Sequence, residues 1–175
     1  MMRTKFILGL LSSALIANTA LHGVEVPVPF KPQEIAAKAR KQGLPAGLSV
    51  TAEGKALKIA ASDGLALPEP VTITHAANVP PQAAGRDVTV KIRVSGSNLK
   101  TDATTTITVG GQKLPFPQGS FGWKTLSAKI KCPANGKLPI TICLQNFSGT
   151  LMLQEPTAQI ELSHKLPAHP KRKRR

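Results

Sequence analysis

An all-β fold is what this sequence predicts: two antiparallel sheets packed face to face as a jelly-roll sandwich, with one short helix ahead of them. Three observations carry the prediction. Apolar and polar residues alternate with a period of two through most of 48–162, the signature of strands with one buried and one wet face. Gly, Pro and Asn cut that pattern into eight to ten short pieces. No helical run alternates with the strands, which excludes a parallel α/β arrangement and favours antiparallel sheets.

Taken in order, Val24 to Pro32 is punctuated by prolines and reads as a linker or an edge strand. Pro32 to Gly43 has proline in the first turn, Ala, Lys and Arg within, and glycine to stop it, so it reads as a short helix. Its apolar face is thin (Ile35, Ala36 and Ala39), and the helix should lie on the domain surface. From Leu48 the period becomes two. Leu48, Val50 and Ala52 form one inward row, Leu57, Ile59 and Ala61 the next, and Val71 with Ile73 a third. The clearest strand places Val88, Val90, Ile92 and Val94 on one face and Thr89, Lys91 and Arg93 on the other. Thr105, Ile107 and Val109 lead into Gly110-Gly111, a hairpin signal. The stretch from Phe121 to Leu162 reads as four strands. Leu126, Ala128 and Ile130 precede the Asn135-Gly136 turn, and Leu138, Ile140, Ile142 and Leu144 follow it. Leu151 with Leu153, then Ala158, Ile160 and Leu162, close the set.

The 175 residues suit one domain, and 41% hydrophobic content is enough for a core. Residues 1–23 have the form of a secretory signal. Arg3 and Lys5 supply the positive start, Phe6 to Ala17 a short apolar run, and small or polar residues follow. The expected organisation is therefore a signal over 1–23, linker and helix over 24–47, the sandwich over 48–162 and a basic disordered tail over 163–175. The expected location is periplasmic or extracellular, with no membrane span once the signal is removed. The formal charge of +14 is uneven. Six of the 23 basic residues fall between Lys165 and Arg175, and five of those are consecutive: Lys171, Arg172, Lys173, Arg174 and Arg175. Such a run can engage an anionic surface through unscreened charge. Sequence-specific nucleic-acid binding is not expected, because aromatic stacking positions are scarce: there is no Tyr and a single Trp.

Catalytic arrangements are missing from the sequence. Nine acidic residues occur in all, none closely paired, whereas glycoside hydrolysis needs two carboxyls across the bond. No G-x-S-x-G elbow and no phosphate-binding loop is present. His75 lies in phase with Val71 and Ile73 and reads as a strand-end histidine. Asn146-Phe147-Ser148 fits the N-glycosylation pattern, a three-residue match common by chance. For Cys132 and Cys143 two arguments compete. Export favours a disulfide. The pleat opposes it, because Cys132 shares the phase of Leu126 and Ile130 while Cys143 is out of phase with Ile142 and Leu144. Pro133 and Pro139 offer a bulge that would reconcile the two, so the sequence leaves the bond open.

Several of these features together resemble the galactose-binding-domain-like jelly rolls, which include many non-catalytic carbohydrate-binding modules. They are the run VPPQAAGRDVTVKIRVSG over 79–96, the Phe121-Gly122-Trp123 opening of the next strand, and the closing Gly149-Thr150-Leu151-x-Leu153 and Ile160-Glu161-Leu162. The resemblance spans about Leu48 to Leu162. It implies a module that binds a carbohydrate or cell-envelope polymer without catalysis. The residues to carry such a site are Trp123, Phe121 and Phe116, with Lys124 and Gln118 as polar neighbours. Sugar sites in that family often use exposed Trp or Tyr, and this chain, with one Trp and no Tyr, departs from the pattern. Some members hold a structural calcium ion near the first and last strands, for which Glu53, Glu155 and Glu161 are the candidates here. No other cofactor is implied. The alternative is a structural or assembly protein of the cell envelope whose basic tail engages an anionic partner; threonine-rich strand faces (Thr72, Thr74, Thr104, Thr106) suit it.

Overall fold

Period-two alternation builds both layers of the fold. The structure, a computed structural model, describes residues 24–63, 66–115 and 117–160, with the side chains of Ala66 and Pro68 left aside. The predicted signal and basic tail, Phe116 and Glu161 lie outside these residues. The elements in order are β1 (Val24–Pro27), α1 (Pro32–Lys41), β2 (Leu48–Glu53), β3 (Ala56–Ala61), β4 (Ala66–Asn78), a 3-10 turn at Pro81–Ala83, β5 (Asp87–Thr101), β6 (Thr106–Val109), β7 (Gln112–Leu114), β8 (Gly119–Lys131), β9 (Lys137–Gln154) and β10 (Thr157–Ile160).

All of the strand pairings are antiparallel. In the first sheet, β8 forms one edge and pairs with β5. The other side of β5 takes β10 along Val88–Lys91 and the C-terminal half of β9 from Val94 onward. Beyond them lie β1, against β10, and β3, against β9, with β2 outermost. The second sheet runs β4, the N-terminal half of β9, β6 and β7. The inward rows of both sheets meet in one core. Val90, Ile92, Leu57, Ile59 and Leu153 face Ile73, Ile107, Ile140, Ile142 and Leu144, all buried. This is the two-sheet sandwich the alternation predicts.

Two features differ from the sequence reading. The edge strand and the surface helix expected over 24–47 are present, but the domain boundary at 48 is not, because both elements pack as part of the sandwich. β1 completes a row of the first sheet, Val28 and Phe30 are buried in the core, and α1 seats Ile35, Ala36 and Ala39 on β2 and β3. The closing stretch holds three strands where four were expected, because β9 is continuous over 18 residues and belongs to both sheets. Its inward phase is even through Leu138, Ile140, Ile142 and Leu144, then odd through Phe147, Leu151 and Leu153. The flip occurs at Phe147-Ser148, two consecutive buried residues, where the strand turns from one layer into the other. Gly149 makes the turn feasible: its φ is +89°, and a Cβ there would lie 2.3 Å from the Asn98 carbonyl oxygen. Asn98 itself has φ +50°, so two backbones bend against each other at this corner.

Candidate functional site

The exposed face of the β5–β8 pair is set by register. Val88–Ile130, Val90–Ala128 and Ile92–Leu126 face the core, which sends Lys91–Ser127 and Arg93–Thr125 outward. Between Val94 and Gly96 the register slips: Val94 pairs with Lys124, but Gly96 pairs with Phe121. β8 therefore carries one extra residue here, a bulge. Its consequence is that Phe121 and Trp123, two apart and expected on one face, take opposite faces. Phe121 turns inward, half-buried, its ring lying where a side chain on Gly96 would be: a Cβ there would meet the ring at 2.5 Å. Trp123 turns outward and is 38% exposed, one of two large hydrophobic residues so exposed among the described residues. The Arg93 guanidinium lies over the indole, 5.5 Å from the ring centroid, a cation–π contact.

The outward row continues across the sheet. Ser95, beside the bulge, pairs with Met152; Met152 pairs with Lys58, and Lys58 with Thr51. Lys58 bonds Glu53 at 2.6 Å. Lys91 lies 3.9 Å from Glu25, whose carboxylate accepts the Thr157 hydroxyl at 2.6 Å. Trp123, Arg93, Ser95, Met152 and Thr125 thus form a platform with one aromatic ring, one guanidinium and several hydroxyls. It can stack against an apolar ring face and hydrogen-bond to hydroxyls or anions.

The other predicted site residues are placed differently. Gln118 is committed to the backbone of Thr101: its amide N–H donates to the Thr101 carbonyl at 2.9 Å and its oxygen accepts the Thr101 N–H at 2.9 Å. This substitutes for a strand pairing and leaves little of Gln118 for a ligand. Lys124 lies at the β8 edge with its ammonium 5.4 Å from the Phe121 ring centroid. The structure therefore separates Trp123 from Phe121 and Gln118. The partner missed in the sequence is Arg93, although the alternation of β5 already turned it outward.

Near the far end of β5, Asp102 anchors a tight turn. It accepts hydrogen bonds from the Asn146 amide, the Thr104 hydroxyl and the backbone N–H groups of Thr104 (2.8 Å) and Thr105 (3.3 Å). These bonds, that from Asn146 foremost, lower its pKa to about 2. The cleft beside it, about 320 Å³, is lined by Thr101, Asp102, Lys113 and Gln118. A wider one of about 550 Å³ lies where Gly110 and Gln112 approach Asp87, Lys129 and Lys131. Neither gathers paired carboxylates. His75 meets the Pro29 carbonyl through Nε2 at 3.1 Å and packs edge-on against Phe30, the structural role its phase suggested.

Cys132 and Cys143 are free thiols, which corrects the disulfide option. Cys132 is buried in the core, whereas Cys143 sits between the inward Ile142 and Leu144 and points to the outer face of the second sheet, next to Thr72 and Thr106. No bulge brings them to one face. Of the calcium candidates, Glu161 lies outside the described residues. Glu53 is held by Lys58, Glu155 is exposed at the break between β9 and β10, and no cluster of three or more His, Cys, Asp or Glu side chains occurs among the described residues. Asn146, the glycosylation-pattern residue, spends its amide on Asp102, and its neighbours Phe147 and Ser148 are buried.

No protein-family model matches the chain, and no curated protein matches it by sequence. Among solved structures the fold is similar to BiXyn10A CBM1 in its apo form, with TM-score 0.50 and 17% identity over 78% of this chain and 96% of that one. It is also similar to a mutant of CBM29-2, a family 29 carbohydrate-binding module, with TM-score 0.43 and 11% identity over 77% and 84% of the two chains. The xylan-binding domain from CBM 22 matches with TM-score 0.36 and 11% identity over 67% and 85%. At the level of fold, the chain is a two-sheet antiparallel β-sandwich similar to that of BiXyn10A CBM1.

Proposed function

We propose that this protein is an exported, non-catalytic carbohydrate-binding module that engages a glycan or cell-envelope polymer on the outer face of β5 and β8, with Trp123 as its stacking surface. The observation that carries the reading is the exposed single tryptophan beside Arg93, Ser95 and Thr125 on the outer face of a jelly roll of this type. An aromatic face offers apolar contact to the C–H side of a sugar ring, and the flanking hydroxyls and guanidinium offer hydrogen bonds to its edge. A sheet face, open at both ends, accommodates an extended polymer where a closed pocket would not. Export rests on the signal-like residues 1–23, and no helix among the described residues is long and apolar enough to cross a membrane.

Affinity electrophoresis of the full chain through gels containing xylan, glucomannan, pectin or β-glucan tests the reading. At least one polymer should retard the protein, and Trp123→Ala should weaken that binding about tenfold, the value of one stacked ring. Absence of retardation by every polymer, or retardation untouched by Trp123→Ala, refutes the assignment.

The envelope-assembly reading draws on a different surface. The outer face of the second sheet aligns Thr72, Cys143 and Thr106 in one row and Thr74, Thr141 and Thr108 in the next, with no aromatic residue. In that reading the basic tail at Lys171 to Arg175 would hold an anionic partner. Neutralising the tail and recovering unchanged, salt-insensitive binding to anionic surfaces would exclude it.

A further inference from the structure

We propose that the ligand of the β5–β8 face is an acidic glycan, one carrying carboxylates, and that Arg93 is the group that binds the carboxylate. The inference rests on the reading of that face as the glycan platform and specifies its chemistry.

The first argument is the balance of charge. Where β5 runs from Asp87 to Arg93 and β8 from Thr125 to Lys131, the outward positions carry four cations, Lys91, Arg93, Lys129 and Lys131, against Asp87 on the same strands and Glu25 on β1. The two carboxylates are placed near particular cations. Glu25 lies 3.9 Å from Lys91, and Asp87 is in register with Lys131. Arg93 is exposed and forms no ion pair among the described residues. Its guanidinium is the charge that lies over the Trp123 ring.

The second argument is geometric. Arg93 lies over the indole, so it already occupies one face of the only aromatic surface on the platform. A neutral sugar seated against the indole gains no charge partner from the guanidinium beside it. An acidic sugar gains one with the guanidinium left in place. A guanidinium resting on a ring keeps its N–H fork directed sideways, and that fork matches the two oxygens of a carboxylate. The stacking also limits the rotamers of a long side chain, so less freedom is lost when the carboxylate arrives. Thr125 and Ser127, opposite Arg93 and Lys91, place hydroxyls beside the cations for the uncharged groups of the same polymer.

A matched pair of probes tests the proposal: polygalacturonate and its methyl ester, which share a backbone and differ in charge, with neutral xylan as a third. Binding of the full chain is measured by calorimetry at about 50 mM and about 500 mM NaCl, since screening shortens the range of charge steeply between them. Five consecutive cations can attract a polyanion by charge alone, so a full-length variant with Ala at Lys171, Arg172, Lys173, Arg174 and Arg175 is measured in parallel. The proposal predicts binding to polygalacturonate about tenfold tighter than to the ester at low salt, a preference kept by the tail variant. Arg93→Ala should remove the preference, and Arg93→Lys should keep only part of it. Circular dichroism checks that both Arg93 variants are folded.

Equal binding of polygalacturonate, ester and xylan would overturn the acidic class while leaving the glycan-binding function intact. A preference that disappears in the tail variant and survives Arg93→Ala assigns it to the tail and overturns the role of Arg93. Binding to single-stranded DNA with the same dependence on Arg93 overturns the glycan specificity. Failure to bind any of the three glycans overturns the platform itself.

Discussion

Gly149→Ala is the substitution for which the structure gives the clearest magnitude. Gly149 sits where β9 leaves one sheet for the other, at φ +89°, a conformation that costs an L-residue about 1 kcal/mol or more. The added methyl would also lie 2.3 Å from the Asn98 carbonyl oxygen and 2.6 Å from that of Ser97, far inside contact distance. Both are backbone atoms of β5, and Ser97 is paired with Thr150, so relief requires breaking the register at the corner. A strained, partly unpaired crossing adds about 1–3 kcal/mol, giving a total of about 3 kcal/mol. Gly54→Ala is the control. It too has positive φ, at +58°, but a Cβ there meets nothing within 4 Å, so it should cost only about 1 kcal/mol. For a domain of this size the difference appears as a drop in Tm of roughly 6–12 °C for Gly149→Ala against roughly 2–4 °C for the control, followed by circular dichroism. Equal losses for the two would refute the close crossing of β9 over β5, and with it the passage of one strand through both sheets.

Three further outcomes follow from the described geometry. Gly96→Ala should expel the Phe121 ring from its half-buried seat and destabilise the fold by about 1–2 kcal/mol; because the clash is with a side chain, Phe121→Ala should make Gly96→Ala nearly neutral in a double-mutant cycle. Asp102 has its pKa lowered from 3.8 to about 2 by hydrogen bonds that favour the carboxylate, so its stabilising effect is complete above about pH 4 and fades as pH falls through about 2. Melting curves of wild type and Asp102→Asn should therefore differ most above pH 4 and converge toward pH 2; a constant gap would contradict the assignment. Titration with a thiol reagent should count two free thiols after denaturation, with half-buried Cys143 reacting in the native state. Cys132 should stay protected until unfolding, its pKa raised by burial.

Most of the sandwich is legible in the sequence because inward and outward rows are written as local alternation. Val88 to Val94, Leu138 to Leu144 and the Gly110-Gly111 hairpin needed no tertiary information. What the alternation cannot express is a change of phase imposed by a neighbouring strand. The run from Leu144 to Leu151 looks like the end of one strand and the start of another, because its inward residues change parity. In space the parity change is the strand entering the opposite layer, where inward means the other side. The bulge at Trp123 is the same effect at shorter range. Residues two apart should share a face, so Phe121 and Trp123 looked like one cluster until the register with β5 separated them. Arg93 was visible as an outward residue, yet its position over the indole depends on that register. The core role of the segment between β1 and α1 escapes the sequence for a related reason: short apolar residues such as Val28 and Phe30 become core only when the sheet that covers them is known.

The central claim is that the ligand face is the outer surface of β5 and β8 around Trp123. Its most direct test is a titration of the ¹⁵N-labelled full chain with a polymer that the protein is found to bind, followed by backbone and indole N–H shifts. The account predicts that the Trp123 indole resonance moves first, together with Arg93, Ser95 and Thr125, while Thr74, Thr141 and Thr108 on the opposite sheet stay in place. Shifts confined to that threonine face, with the Trp123 indole unmoved, would contradict it.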